Sequence, residues 1–221
     1  MIPWVLIDSA PIPGGGELRL LRRGGEFSIM LGGNELMNSR KSGSEEALAQ
    51  LALAKLKHVA APQVLIGGLG MGFTLRAALA ALPANARVDV AELLQAVLDW
   101  ARGPLQNIFA GSCDDPRVKV SVSDVQAMID RAESKYDAIL LDVDNGPGGV
   151  VRPENDALYN HNGLKAAHAA LRQGGVLAIW SAHPDDAFTR RLGRADFVVE
   201  TVSSRASKNR GARHTLWLAT K

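Results

Sequence analysis

The run Val64-Leu65-Ile66-Gly67-Gly68-Leu69-Gly70-Met71-Gly72 constrains this chain more than any other stretch. A short apolar segment of strand type enters a glycine cluster, and from Phe73 to Leu82 the apolar residues return at helical spacing. Strand, glycine turn and helix form the opening unit of a nucleotide-binding α/β sheet. Glycine suits such a turn because it accepts φ > 0 and lets a ligand approach the backbone closely. The helix that follows offers unpaired N–H groups at its N-terminus to an electron-rich ligand.

The glycine spacing narrows the ligand. A dinucleotide fingerprint, G-x-G-x-x-G/A, fails from Gly68 because Phe73 holds its last position, and fails from Gly70 because Leu75 does. The pattern that fits is G-x-G-x-G at Gly68, Gly70 and Gly72, which resembles the first motif of class I S-adenosylmethionine (AdoMet) enzymes. No lysine follows the turn to meet phosphates, so it is not a P-loop.

At 221 residues, 47% of them hydrophobic, the chain is long enough for one large domain with a full core. Its formal net charge of +2 gives no reason to expect nucleic acid or an anionic membrane as partner. The single Cys113 cannot form an internal disulfide, which suits a reducing cytoplasm. No run approaches the roughly 20 apolar residues of a membrane helix, and the N-terminus lacks the pattern of a signal peptide. The five histidines are scattered without ligand spacing, so no metal is expected.

Residues 1–42 read as a small β region. Strands are expected over Trp4–Ile7, Glu17–Arg22 and Phe27–Leu31, with Gly24-Gly25 as a hairpin turn and further breaks at Gly32 and Gly33. Alone such a region is marginal, so it must pack on the main domain or on a second copy in a homodimer. Residues 43–221 read as the AdoMet-binding domain. Ser42 or Ser44 caps a helix that carries Glu45 and Glu46 in its first turn. Strands then alternate with helices. Val64–Gly67, Arg87–Ala91, Val118–Val122, Ala138–Leu141 and Val176–Trp180 are the strands, and helices follow from Phe73, Leu93, Asp124 and Gly163. The helix from Leu93 is expected to reach about Leu105. Residues 143–161 read as a long loop, and Phe197–Ser203 and Thr215–Ala219 as two closing strands around a basic turn. Continuous apolar strands separated by helices indicate an α/β doubly wound, Rossmann-like sheet.

Ligands of open α/β sheets bind beyond the carboxyl ends of the strands. Glu92, Asp124 and Asp142 stand just past three successive strands, near the glycine turn. Glu92, 20 residues after Gly72, can accept hydrogen bonds from both hydroxyls of a ribose. Asp124 can accept from an adenine amino group, and Asp142 can hold a cationic amine or the methionine part of AdoMet. An adenosine bearing a sulfonium matches this set better than a diphosphate does. Each acid also has a plainer reading: Asp124 as a helix N-cap, Glu92 as a first-turn acid, Asp142 and Asp144 as turn residues.

The order of these pieces resembles the spermidine synthase family. The resemblance rests on Gly67–Gly72, the strand ending in Glu92, Asp115-Pro116-Arg117-Val118, Ser123-Asp124 and Tyr136–Asp142. It extends through Leu158-Tyr159 to Gly174-Gly175-Val176-Leu177. It implies a class I methyltransferase-type fold with a mostly parallel sheet, an antiparallel final strand and a small N-terminal β region. It also implies that Glu92 binds ribose, that Asp124 serves adenine, and that Gly67, Gly68, Gly70 and Gly72 line the methionine portion. The departures concern the acceptor side. Gly70 stands where that family usually carries an acid. Asn145 falls at the position of its general base, in the run Asp142-Val143-Asp144-Asn145, and Trp180 replaces a usual glutamine.

The expectation is therefore a group transferase using AdoMet or a close relative. Methyl transfer to a small-molecule acceptor comes first. Aminopropyl transfer from decarboxylated AdoMet, as in spermidine synthase, is the alternative, and a non-catalytic scaffold that keeps the cosubstrate pocket is a second one. Asp142 and Asp144 are the catalytic candidates. Asn145, Tyr159 and Trp180 are candidates for the acceptor pocket, and His161 and His183 border it.

Overall fold

The computed structural model describes residues 2–143, 146–147, 156–207 and 211–221. It contains two sheets. The first is antiparallel, in the order β1 (Val5–Pro11), β2 (Glu17–Arg23), β3 (Glu26–Leu31), β4 (Asn34–Asn38). The fourth strand was not expected. It pairs with β3 across Gly32-Gly33, and Gly32 takes a left-handed φ of 58°, so these glycines form a hairpin turn rather than only breaking the chain.

The second sheet has seven strands. In chain order they are β5 (Gln63–Gly67), β6 (Arg87–Glu92), β7 (Val118–Val122), β8 (Tyr136–Leu141), β9 (Leu171–Ser181), β10 (Val198–Arg205) and β11 (Arg213–Thr220). Their spatial order is β10-β11-β9-β8-β5-β6-β7. The strands from β7 across to β9 run parallel, while β11 pairs antiparallel with both β9 and β10. The order reverses at β5, which has β6 on one side and β8 on the other, and a crevice opens there at the carboxyl ends.

Successive residues of a strand face opposite sides. Val64, Ile66, Ala138, Leu140, Leu216 and Leu218 enter one core layer, under α1 (Gly43–Ala54), α2 (Phe73–Ala81) and α3 (Gln95–Arg102). Leu65, Ile139, Leu141, Trp217 and Ala219 enter the other, which also buries residues of α5 (Val125–Asp130), α7 (His161–Ala170) and α8 (Asp186–Arg194). Leu18, Leu20, Phe27 and Ile29 of the N-terminal sheet belong to the first layer, so that sheet packs on the main body. Trp100 Nε1 of α3 also donates to Asp8 Oδ2 of β1 at 2.7 Å.

Some boundaries differ from the sequence expectation. The helix expected to run to Leu105 stops at Arg102, because Gly103 leaves helical geometry, and α4 (Gln106–Phe109) follows. The expected loop 143–161 holds a one-turn helix, α6 (Asp156–Tyr159). β9 begins at Leu171, and a register shift against β8 absorbs Gly174-Gly175. Ser42 stands at the N-cap of α1 but makes no capping hydrogen bond, and Ser44 is turned to other partners.

Candidate functional site

The ends of β5, β6 and β8 are stitched together by their backbones. Gly68 N–H donates to Ala91 O at 2.9 Å, and Asp142 N–H donates to Gly67 O at 3.0 Å. Gly68 has φ 89°, and a Cβ there would lie 2.3 Å from the Asp142 carbonyl oxygen, so only glycine lets these segments meet. Gly72, at φ 76°, lies against the Phe109 ring, where a Cβ would come within 2.5 Å.

Glu92 is 8% exposed. Its Oε2 accepts the Leu69 N–H of the glycine turn at 3.0 Å, and its Oε1 accepts the Leu94 N–H at 2.9 Å. It therefore organises both the turn and the entry to α3. A carboxylate has about four acceptor sites, so two remain for a ligand. Burial raises the Glu92 pKa, and the backbone N–H groups of Leu94 and Leu69 oppose that rise. Asp124 is the N-cap of α5, accepting the Gln126 N–H at 2.8 Å. It lines the same cavity as Glu92, so the capping bond does not remove it from the cavity wall.

That cavity, of about 150 Å³, lies between Gly68, Glu92, Asp124 and Asp142 on the main sheet and Ile12, Leu31 and Met37 on the N-terminal sheet. A second cavity of about 130 Å³ adjoins it, lined by Glu45, Phe73 and Trp180. Leu36, Met37, Gly70 and Asp142 line both. The N-terminal sheet thus forms a wall of the site, and the unexpected strand β4 supplies that wall.

Asp142 Oδ2 accepts a hydrogen bond from Thr74 Oγ1 at 2.6 Å. Burial, with the Glu45 charge beside it, pushes the Asp142 carboxyl up to about 7, and the Thr74 bond works against that rise. Burial raises Glu45 as well. Asp142 is thus poised to change charge near neutrality, as groups in functional clefts often are.

The remaining candidates divide. Trp180, 9% exposed, lines the second cavity, and its Nε1 has no hydrogen-bond partner among the described residues. Tyr159 is buried against Phe188 in the second core layer and donates to the Val143 carbonyl, and it is not among the described residues lining these two cavities. His161 and His183 are exposed and also line neither cavity. Asp144 and Asn145, with Lys208 and Arg210 of the basic turn, lie outside the described residues. Cys113 is buried, and burial pushes its thiol up to about 11, so it is no nucleophile. Among the described residues no group of three or more His, Cys, Asp or Glu is placed to hold a metal ion.

Three contributors were not anticipated: Glu45, Thr74 and Met37. Thr74 carried a usable signal, because it sits in the first turn after the glycine cluster, where a hydroxyl faces the strand ends.

A family model for the spermine/spermidine synthase domain matches residues 42–186. The chain belongs to this family. Polyamine aminopropyltransferase 2 of Pseudomonas aeruginosa is 34% identical over 155 residues, covering 67% of this chain and 42% of that protein. The polyamine aminopropyltransferase of Nitrosomonas europaea is 31% identical over 132 residues, covering 60% and 39%. The chain thus spans about two fifths of the length of these relatives. The crystal structure of spermidine synthase from Thermotoga maritima superimposes with a TM-score of 0.77 at 19% identity, covering 98% of this chain and 72% of that one, and so shares the Rossmann-like fold. These relatives correct the order of the two expected reactions: they are named for aminopropyl transfer, not methyl transfer.

Proposed function

We propose that this chain transfers an aminopropyl group from decarboxylated AdoMet to the amine of a small molecule. One observation carries the reading: Gly70 and Asp142 line both cavities, where a half suited to adenosine meets a half lined by Asp142 and Glu45. A transferred carbon belongs at such a junction. In this reading Glu92 holds the ribose, Asp124 meets the adenine, and Gly67, Gly68, Gly70 and Gly72 border the sulfonium arm.

The reaction needs alignment more than strong acid–base chemistry. The amine lone pair attacks the carbon next to sulfur, a C–N bond forms and the C–S bond breaks. The electron pair goes to sulfur, which leaves as the neutral thioether 5′-methylthioadenosine. The amine must shed one proton to expose its lone pair, and the product leaves as a secondary ammonium. With its carboxyl near 7, Asp142 is matched to accept a proton at neutral pH. Asp144, two residues on, is proposed as the second acid of this step. Asn145 and Trp180 then border the acceptor.

Product identification tests the reading. Purified protein given decarboxylated AdoMet and a panel of diamines is expected to release 5′-methylthioadenosine. Release of S-adenosylhomocysteine from AdoMet instead would establish methyl transfer, and ligand binding without turnover on any acceptor would establish the scaffold.

Two further expectations belong to this reading. Val5, Leu6 and Ile7 are exposed on the edge strand β1, which supports a homodimer through that face. A lone buried cysteine suits the cytoplasm, and no helix among the described residues is long and apolar enough to cross a membrane.

A further inference from the structure

We infer that Glu45, on the first helix, is the carboxylate that receives the propylammonium of the donor, taking over from the acid absent at Gly70, and that it selects decarboxylated AdoMet over AdoMet. This rests on the aminopropyl reading above. No motif singles out Glu45, which lies 25 residues before Gly70 in the chain. Its helix brings it into the wall of the second cavity, where its charge acts on Asp142.

The composition of that cavity carries the argument. Apart from Glu45 and Asp142, its described lining is apolar or backbone: Met37, Leu69, Gly70, Met71, Phe73 and Trp180, with Leu36 behind them. No cationic side chain is among these residues. Two carboxylates that line one apolar space with no cation among its described residues are costly to bury unless a cation arrives. The donor's ammonium is such a cation. AdoMet would bring in addition a carboxylate, which these acids repel. Trp180, nine-tenths buried, also lines this cavity, and its indole N–H has no hydrogen-bond partner among the described residues.

Glu45 is also held in place. Ser44 Oγ donates to Glu45 Oε2 at 2.6 Å and lies 2.8 Å from His214 Nδ1. The hydroxyl has one proton, spent on Glu45, so His214 must donate through Nδ1–H. The helix start is anchored to the same closing hairpin, because Gly43 N–H donates to Ala206 O at 3.0 Å. A Cβ on Gly43 would lie 2.9 Å from the Arg205 carbonyl oxygen, which explains the glycine. The His214 ring stacks edge-on against Trp180, with centroids 4.7 Å apart. The Ser44–His214 pair is thus a positioning device that ties the last strand to the donor arm.

Calorimetry with three ligands tests this: 5′-methylthioadenosine, which lacks the amine, decarboxylated AdoMet and AdoMet. In E45Q, methylthioadenosine should bind as in wild type, while decarboxylated AdoMet should bind at least about tenfold more weakly, the loss expected of one charged hydrogen bond. E45K should reverse the preference towards AdoMet. H214F should weaken decarboxylated AdoMet by a smaller factor and leave methylthioadenosine untouched. If E45Q binds decarboxylated AdoMet within twofold of wild type, the Glu45 role is overturned and the aminopropyl reading stands. Wild-type protein that binds neither methylthioadenosine nor decarboxylated AdoMet, or that prefers AdoMet, overturns both.

Discussion

Thr74 Oγ1 donates to Asp142 Oδ2 over 2.6 Å, joining the first turn of the helix after the glycine cluster to the end of the neighbouring strand. The bond crosses the point where the sheet order reverses, and it fixes the one acid that both cavities share among the described residues. It stabilises the ionised form of Asp142 against burial and against Glu45. T74V keeps the shape and removes the donor, so it should move the Asp142 pKa further up and shift the alkaline rise of kcat/KM to higher pH. A pH–rate profile of T74V beside wild type reads that shift.

Asp142 also makes folding pH-dependent in an unusual direction. Its folded pKa, about 7, lies above the ordinary value of 3.8, so the native state keeps a proton that the unfolded chain has lost. The stability contributed by Asp142 is therefore greatest below about 4 and falls as pH rises towards 7. Relative to wild type, D142N should gain stability over that interval by roughly 4 kcal/mol. Denaturant melts at pH 5 and pH 8 measure the difference. Binding of a cation beside Asp142 favours its ionised form, so donor binding near pH 7 should release a proton. Calorimetry in buffers of different ionisation enthalpy detects the release, and D142N should abolish it.

Glu92 has two duties that substitution can separate. Alanine would leave the Leu69 and Leu94 N–H groups without their acceptor, at about 1–3 kcal/mol for each buried group. E92A should therefore melt lower and lose adenosine binding. E92Q keeps one acceptor oxygen, so it should stay closer to wild-type stability while binding methylthioadenosine roughly ten- to a hundredfold more weakly. Thermal melts run beside titrations distinguish the two effects.

The glycines of the turn are unequal. G68A puts a Cβ into the Asp142 carbonyl and should cost at least about 3 kcal/mol, enough to lower soluble yield. Gly70 has φ 50°, and a Cβ there meets only the flexible end of Met37, at 3.2 Å. Aspartate tolerates that left-handed conformation better than most residues. G70D should fold and tighten binding of decarboxylated AdoMet, and in the E45Q background it should restore at least part of the lost affinity.

Asp137 serves as a structural contrast. It is buried, and its Oδ2 accepts the Gln63 N–H at 2.7 Å and Arg172 Nη1 at 2.8 Å. D137A should cost about 2 kcal/mol of stability by stranding the Gln63 N–H. Donor affinity at the opposite end of β8 should not change.

The main sheet was legible because its strands are short apolar runs closed by glycine or an acid, as in Val64–Gly67 and Tyr136–Asp142. The first cavity was legible for the same reason: Gly68, Glu92 and Asp124, which line it, follow strand ends directly. The lining of the second cavity was not. Glu45 reads as an ordinary first-turn acid, and only the packing of its helix beside the strand ends brings it into that wall. Strand β4 was hidden because Gly32-Gly33 is a breaker when read alone and a hairpin turn once Asn34–Asn38 pairs with β3. Tyr159 joins the second core layer, and in sequence an aromatic near a candidate loop looks the same whether it faces a ligand or a core. Its hydroxyl bond to the Val143 carbonyl is a tertiary feature with no local signature.

The most direct test of the central claim is a crystal structure of the protein with decarboxylated AdoMet. The account predicts the ribose on Glu92, the sulfonium beside Gly70 and Asp142, and the ammonium between Asp142 and Glu45. Adenosine bound away from Glu92, or a propyl arm turned away from the cavity that Glu45 and Trp180 line, would contradict it.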